Sequence, residues 1–174
     1  FSPAFQRTGE WCEERTSSAG RSMDAELAVD DRTLSPSDFG FHNAIRRDDG
    51  ELIFLDFEYF GWDDPAKMIS DFLLHPAMDL SLALKASFVA NLAGDDQAFM
   101  QRLEIVFPLF GLKWCLILLN AFLPQYRLER GLDDSGLAEI LERQLEKTRL
   151  MLSTVERAYE RFPYRDKEYT GNVT

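Results

Sequence analysis

The chain has 174 residues, a length that suits one domain, and 45% of them are apolar, with 14 Phe to fill a core. Thirty acidic against 19 basic residues leave a net charge of −11, which argues against a nucleic-acid partner because phosphate recognition wants a basic face. An acidic balance permits a cationic small substrate, but it is also an ordinary solubility device.

Residues 1–29 are polar with scattered aromatics. Phe5, Trp11, Cys12 and Arg15 suggest one helical stretch, which Thr16-Ser17-Ser18-Ala19-Gly20 interrupts. A second helical piece is expected from Ser22 to Val29, with Ser22 as its N-cap and Met23 and Leu27 facing inward. The opening Phe-Ser-Pro, without Met or a signal-peptide pattern, reads as a fragment or a processed piece. Cys12 and Cys115 are far apart and form no metal or redox spacing, as expected in a reducing cytoplasm.

Residues 34–65 carry the chemistry: LSPSDFGFHNAIRRDDGELIFLDFEYFGWDDP. Asn43 to Arg46 and Leu52 to Asp56 are β-prone runs around Asp48-Asp49-Gly50, and an Asp-Gly pair between such runs signals a hairpin. The hairpin brings Asn43 near Asp56, with Asp38 five positions before Asn43. A carboxylate beside an amide oxygen is a hard-ligand set, suited to Mg²⁺ with phosphate oxygens completing the shell. On a strand, Glu58 shares a face with Asp56, where it either touches a second metal or pairs with a cation. His42 reads as a packed or hydrogen-bonded residue rather than a ligand.

Asp64 can cap a helix with Pro65 in its first turn, ending before His75-Pro76. Met68, Ile69 and Phe72 form its apolar stripe. Another helix is expected over 79–92, with Leu80, Leu84, Phe88 and Leu92 inward and Lys85 on the surface. Gly94 ends it, and Asp95-Asp96 start the next. Residues 103–123 are strongly apolar, but Glu104, Lys113 and Asn120 interrupt them, which favours a buried core helix kinked near Pro108 over a membrane span. Residues 124–136 read as a polar connection. A long helix then runs from Ser135-Gly136 to about Phe162, with Leu137, Ile140, Leu141, Leu145, Leu152, Val155 and Tyr159 on one stripe. The charged tail from Pro163 is expected to fray, and Asn172-Val173-Thr174 reads as a chance match to a glycosylation acceptor.

The order Asp38, Asn43, then Leu55-Asp56-Phe57-Glu58, Gly61 and Asp64-Pro65 resembles the aminoglycoside phosphotransferase and choline kinase-like family. The resemblance implies the C-terminal lobe of a protein-kinase-like fold. It makes Asp38 the catalytic base and Asn43 and Asp56 the Mg²⁺ ligands at the ATP or GTP phosphates. It also makes Asp71 a helix acid that braces the catalytic loop from beneath. One departure is Pro36-Ser37, where the family usually has His-Gly. Asp38-Phe39-Gly40 also spells the metal-binding triplet of protein kinases, but the upstream candidate Asp24 has Val29, not Asn, five residues on. Lys85 follows the motifs, so Leu82-Ala-Leu-Lys is not the strand lysine of a nucleotide lobe.

The expected fold class is therefore α+β and mostly helical. It is one domain over 1–174, with the catalytic loop, metal hairpin and following helix in 34–76 and a helical substrate and scaffold part in 77–162. No glycine-rich loop or strand lysine is present, so the nucleotide lobe is absent from these residues. The expected activity is transfer of a nucleotide γ-phosphate to a hydroxyl of a small molecule, in the cytoplasm, with no nucleic-acid or membrane partner. The alternative is a non-catalytic kinase-like lobe that acts as a binding module. No motif names the acceptor.

Overall fold

A computed structural model of the chain describes residues 1–131, 136–159 and 161–165. It is mostly helical, with two small antiparallel ribbons set between the first and second helices. The helices are α1 (Ser2–Ser18), α2 (Pro65–Leu74), α3 (Leu82–Ala93), α4 (Gln97–Leu119), α5 (Pro124–Glu129) and α6 (Leu137–Ala158). The strands are β1 (Thr33–Ser35), β2 (Ala44–Arg46), β3 (Leu52–Phe54) and β4 (Gly61–Asp63).

The expected hairpin is β2–β3, with Ala44 opposite Phe54 and Arg46 opposite Leu52. Its loop closes through Arg47 N–H to Glu51 O at 2.8 Å, with Gly50 at φ 90°, a conformation that glycine adopts without steric cost. A second ribbon was not expected. β1 pairs with β4, with Leu34 opposite Trp62 and Ser35 opposite Gly61. Two three-residue strands 26 positions apart leave almost no periodicity to read.

The Asp64 cap is present: its Oδ1 accepts from Ala66 N at 2.7 Å, and α2 stops before His75-Pro76. Ile69, Phe72 and Leu73 are buried along it. Aromatic contacts tie the β2–β3 ribbon to this helix. Phe54 lies 5.1 Å from Phe39, Phe39 lies 5.4 Å from Phe72, and Phe72 stacks on Phe88 of α3 at 4.1 Å.

α4 is the central helix and packs on α1, α2, α3 and α6. By length and composition it could cross a membrane, yet 44% of its apolar window is buried inside the fold. Leu103, Phe107, Leu112 and Cys115 of α4 are core residues. The helix starts at the Asp96 cap and continues through Pro108, so the two pieces expected from sequence are one element. Gly111 lets it meet α6: a Cβ there would lie 2.3 Å from Val155 Cγ2.

Several expectations are corrected. Residues 22–29 form no helix; Ser22 Oγ accepts from Asp24 N at 3.2 Å in a local turn, and Val29–Asp31 make one 3₁₀ turn. That local bond competes with helix formation, as serine side chains commonly do. α3 begins at Leu82 with Ser81 as its cap, three residues later than expected. Its buried face is Ala86, Val89 and Ala93, whereas Leu84 and Leu92 are exposed. Of the expected inward residues, Leu80 and Phe88 do pack against the core, and Phe88 stacks on Phe72, so the spacing of large apolar residues placed only half of the face. Lys85 is half-buried, not superficial: its Nζ donates to Leu73 O at 2.8 Å and so satisfies a carbonyl at the end of α2. The connection after 123 contains α5, and α6 ends at Ala158 rather than near Phe162. Ser135, most of the tail from Pro163 and the Asn172 acceptor lie outside the described residues.

Candidate functional site

The loop ahead of β2 is built from tight local bonds. Ser37 has φ 66°, its N–H donates to Ser35 Oγ at 3.0 Å, and Asp38 N–H donates to Pro36 O at 2.8 Å. A left-handed serine is uncommon and carries backbone strain. The strained turn projects Asp38 outward, with its side chain 52% exposed.

Asn43 reaches back to this acid. Its Nδ2 donates to Asp38 O at 3.0 Å and to Asp38 Oδ2 at 3.3 Å. The other side of the carboxylate is held by His42, whose Nε2 lies 3.1 Å from Asp38 Oδ1. Gly40 makes room for that imidazole, since a Cβ at Gly40 would fall 2.6 Å from the ring. Asp38 and Asn43 therefore form one unit.

Asp56 arrives through the ribbon. Leu55 N–H donates to Asn43 O at 2.8 Å, which brings the residue before Asp56 directly onto Asn43. Asp56 itself has φ 63° and turns the chain away from β3. Aspartate tolerates this region better than most side chains. Its carboxylate is exposed and has no partner among the described residues. The strand ends at Phe54, so the alternation argument that put Glu58 on the same face as Asp56 does not apply. Glu58 is exposed in the turn that Phe60 N–H closes onto Phe57 O at 3.0 Å.

Asp71 is buried, unlike most acids in the middle of a helix. Its Oδ1 accepts from Lys113 Nζ and from Trp114 Nε1 at 3.0 Å, and Lys67 Nζ lies 3.8 Å from Oδ2. Lys67 also pairs with Asp63 and lies 3.5 Å from Ser37 Oγ, so it ties Asp71 to β4 and the loop. A second route runs through His75. Its ring stacks on His42 at 3.9 Å and meets the edge of Trp114 at 4.7 Å. Asp71 thus touches the loop through intermediaries rather than directly.

Sequence reasoning missed His75, Trp114, Lys67 and Lys113. His75 served only to end a helix, and Lys113 only to interrupt an apolar run. The one available signal was spacing: Lys67, Asp71 and His75 stand four apart and share a face of α2. His75 Nδ1 accepts from Ala77 N at 3.1 Å, so the neutral ring carries its proton on Nε2. Burial first, then the neighbouring His42, pushes His75 below the ordinary histidine value, against the opposing pull of Asp38 and Asp71.

A groove of about 1020 Å³ lies between residues 16–31, the start of α2 and the first half of α4. Asp38, Asn43 and Asp56 do not line it, so it is separate from this constellation. Comparison of the chain with protein-family models, with curated proteins and with solved structures returns no match.

Proposed function

We propose that this chain is the C-terminal lobe of a protein-kinase-like phosphotransferase, which transfers the γ-phosphate of ATP or GTP to a hydroxyl of a small molecule. The observation that carries the reading is the junction of loop and ribbon. Asp38 and Asn43 are hydrogen-bonded, and the carbonyl of Asn43 accepts from the residue that precedes Asp56.

Asn43 Oδ1 and the Asp56 carboxylate are hard oxygen donors with no hydrogen-bond partner among the described residues, and such donors fit Mg²⁺. When bound, the ion supplies charge neutralisation at the nucleotide phosphates. Asp38 accepts the proton of the acceptor hydroxyl. His42 and Asn43 hold one carboxylate oxygen each, which fixes the direction of its lone pairs. General-base help of this kind is worth about 10²–10⁴-fold. Asp71 acts as a positioning residue through Lys67 and through Trp114 and His75. Glu58 remains a subsidiary ligand in this proposal.

The ribbons support the reading. Ile45 and Ile53 face each other across β2–β3, and Leu34 and Trp62 across β1–β4; all four are exposed. Apolar residues paired on an exposed ribbon face offer a docking surface, and a nucleotide lobe would cover them. The same faces favour a second reading, a non-catalytic lobe that binds a partner protein.

Calorimetry of MgATP and MgGTP decides between them, on this chain and on a version extended upstream in its gene. The proposal expects Mg²⁺-dependent binding by the extended form. Silence from both forms refutes it and leaves the partner-binding lobe.

A further inference from the structure

Asp38, His42 and His75 come from two segments, the loop ahead of β2 and the C-terminal end of α2. One ligand atom from each lies within 4.8 Å of the other two. Two imidazoles and a carboxylate are a different donor set from Asn43 and Asp56. They suit a borderline transition-metal ion and match Mg²⁺ poorly. The geometry points to a second cation site: Asp38, His42 and His75 bind Zn²⁺ or Co²⁺ as a three-ligand centre with an open fourth position.

His42 Nε2 and Asp38 Oδ1 are 3.1 Å apart. Two ligands each about 2.0–2.1 Å from a tetrahedral zinc lie about 3.3 Å from one another, so an ion can take the place of the shared proton with little movement. His75 has further to go. Its ring is parallel to that of His42, with 4° between the planes, and two stacked rings cannot both aim in-plane lone pairs at one ion. A turn of the His75 ring about its terminal torsion removes the conflict, and that torsion is soft. The turn gives up the stack on His42 and the bond from Ala77 N–H; the ion bridging the two rings replaces the first, and water can take over the second because Ala77 is exposed. Asp38 is half exposed, which leaves a position for water on the ion.

The site stands on this geometry alone and does not need the phosphotransferase reading. If that reading holds, zinc occupies the carboxylate that the reaction uses, and the ion inhibits.

The test is calorimetric titration of this chain with Zn²⁺, and visible absorption with Co²⁺, both with Mg²⁺ in large excess. One equivalent should bind, with the intense cobalt absorption of a four-coordinate site. His42→Ala and His75→Ala should each weaken binding roughly tenfold or more, while Asp56→Asn leaves it unchanged. Circular dichroism checks that each variant folds. Should His75→Ala unfold, Asp38→Asn keeps the shape of an exposed side chain and must weaken binding in its place. Absence of zinc binding, displacement by Mg²⁺ or undiminished affinity in the histidine variants overturns the site. Loss confined to Asp56→Asn assigns the ion to the oxygen ligands and overturns it equally.

Discussion

Replacing Gly111 by alanine drives a methyl group into α6. The added Cβ would sit 2.3 Å from Val155 Cγ2, well inside the 3.5–4.0 Å of a normal carbon contact. Val155 is fully buried, and a helical valine has essentially one rotamer, so the side chain cannot swing aside. The two helices must part instead. Overpacking of this kind costs about 1–3 kcal/mol, and alanine recovers about 1 kcal/mol of helix propensity over glycine. The net loss is then at most about 2 kcal/mol, at about 2–4 °C of Tm per kcal/mol for a domain of this size. Val155→Ala alone leaves a cavity and also destabilises. In the double variant the new methyl occupies that cavity, so the two losses should sum to more than the measured one. Urea denaturation of the four proteins in a double-mutant cycle reads the coupling. A Gly111→Ala protein clearly more stable than the parent, or strictly additive losses in the cycle, would refute this packing of α4 on α6.

Asp71→Ala removes the acceptor of Trp114 and Lys113 and should cost about 2–4 kcal/mol, less than a fully buried pair because the Lys113 side chain is 40% exposed. Asp71→Asn keeps an acceptor for Trp114 and should lose about half as much by tryptophan-monitored unfolding; equal losses would show that the Trp114 bond contributes nothing and would leave the charge alone to account for the effect. Burial pushes the Cys12 thiol up to about 12 and the Cys115 thiol up to about 11. At pH 8 neither is a thiolate while folded, so a disulfide-exchange reagent should label them only above the denaturation midpoint, and rapid native labelling would contradict their burial. In an active enzyme that carries this segment, Asp38→Asn should lower turnover at least a hundredfold with nucleotide affinity nearly intact. Asp56→Asn should instead damage metal–nucleotide binding, and ordinary Mg²⁺ dependence in that variant would remove Asp56 from the site.

Much of the local architecture was legible because its cause is local. Asp48-Asp49-Gly50 makes a turn by backbone sterics, and Asp64-Pro65 starts a helix by satisfying its own N–H groups; neither needs a distant partner. The convergence of Asp38, Asn43 and the residue beside Asp56 followed from that hairpin. The β1–β4 ribbon was not legible, since its strands are too short to carry a pattern and are paired by the chain between them.

The same division runs through the site. The sequence by itself determined which residues could do chemistry, because donor type and spacing belong to the chain: one acid, one amide and a second acid around a turn. Only the tertiary structure decided what surrounds them. His75 reaches His42 across 33 positions, and Trp114 reaches Asp71 across 43. The first depends on how the loop ahead of β2 lies on the end of α2, the second on how α2 and α4 lie against each other. Helix faces here were likewise decided by packing: α3 turns Ala86, Val89 and Ala93 inward beside Phe88 and leaves Leu84 and Leu92 outside. Close approach between helices rewards small residues where a sequence reading counts large ones, and that choice is made only when the neighbouring helix is in place.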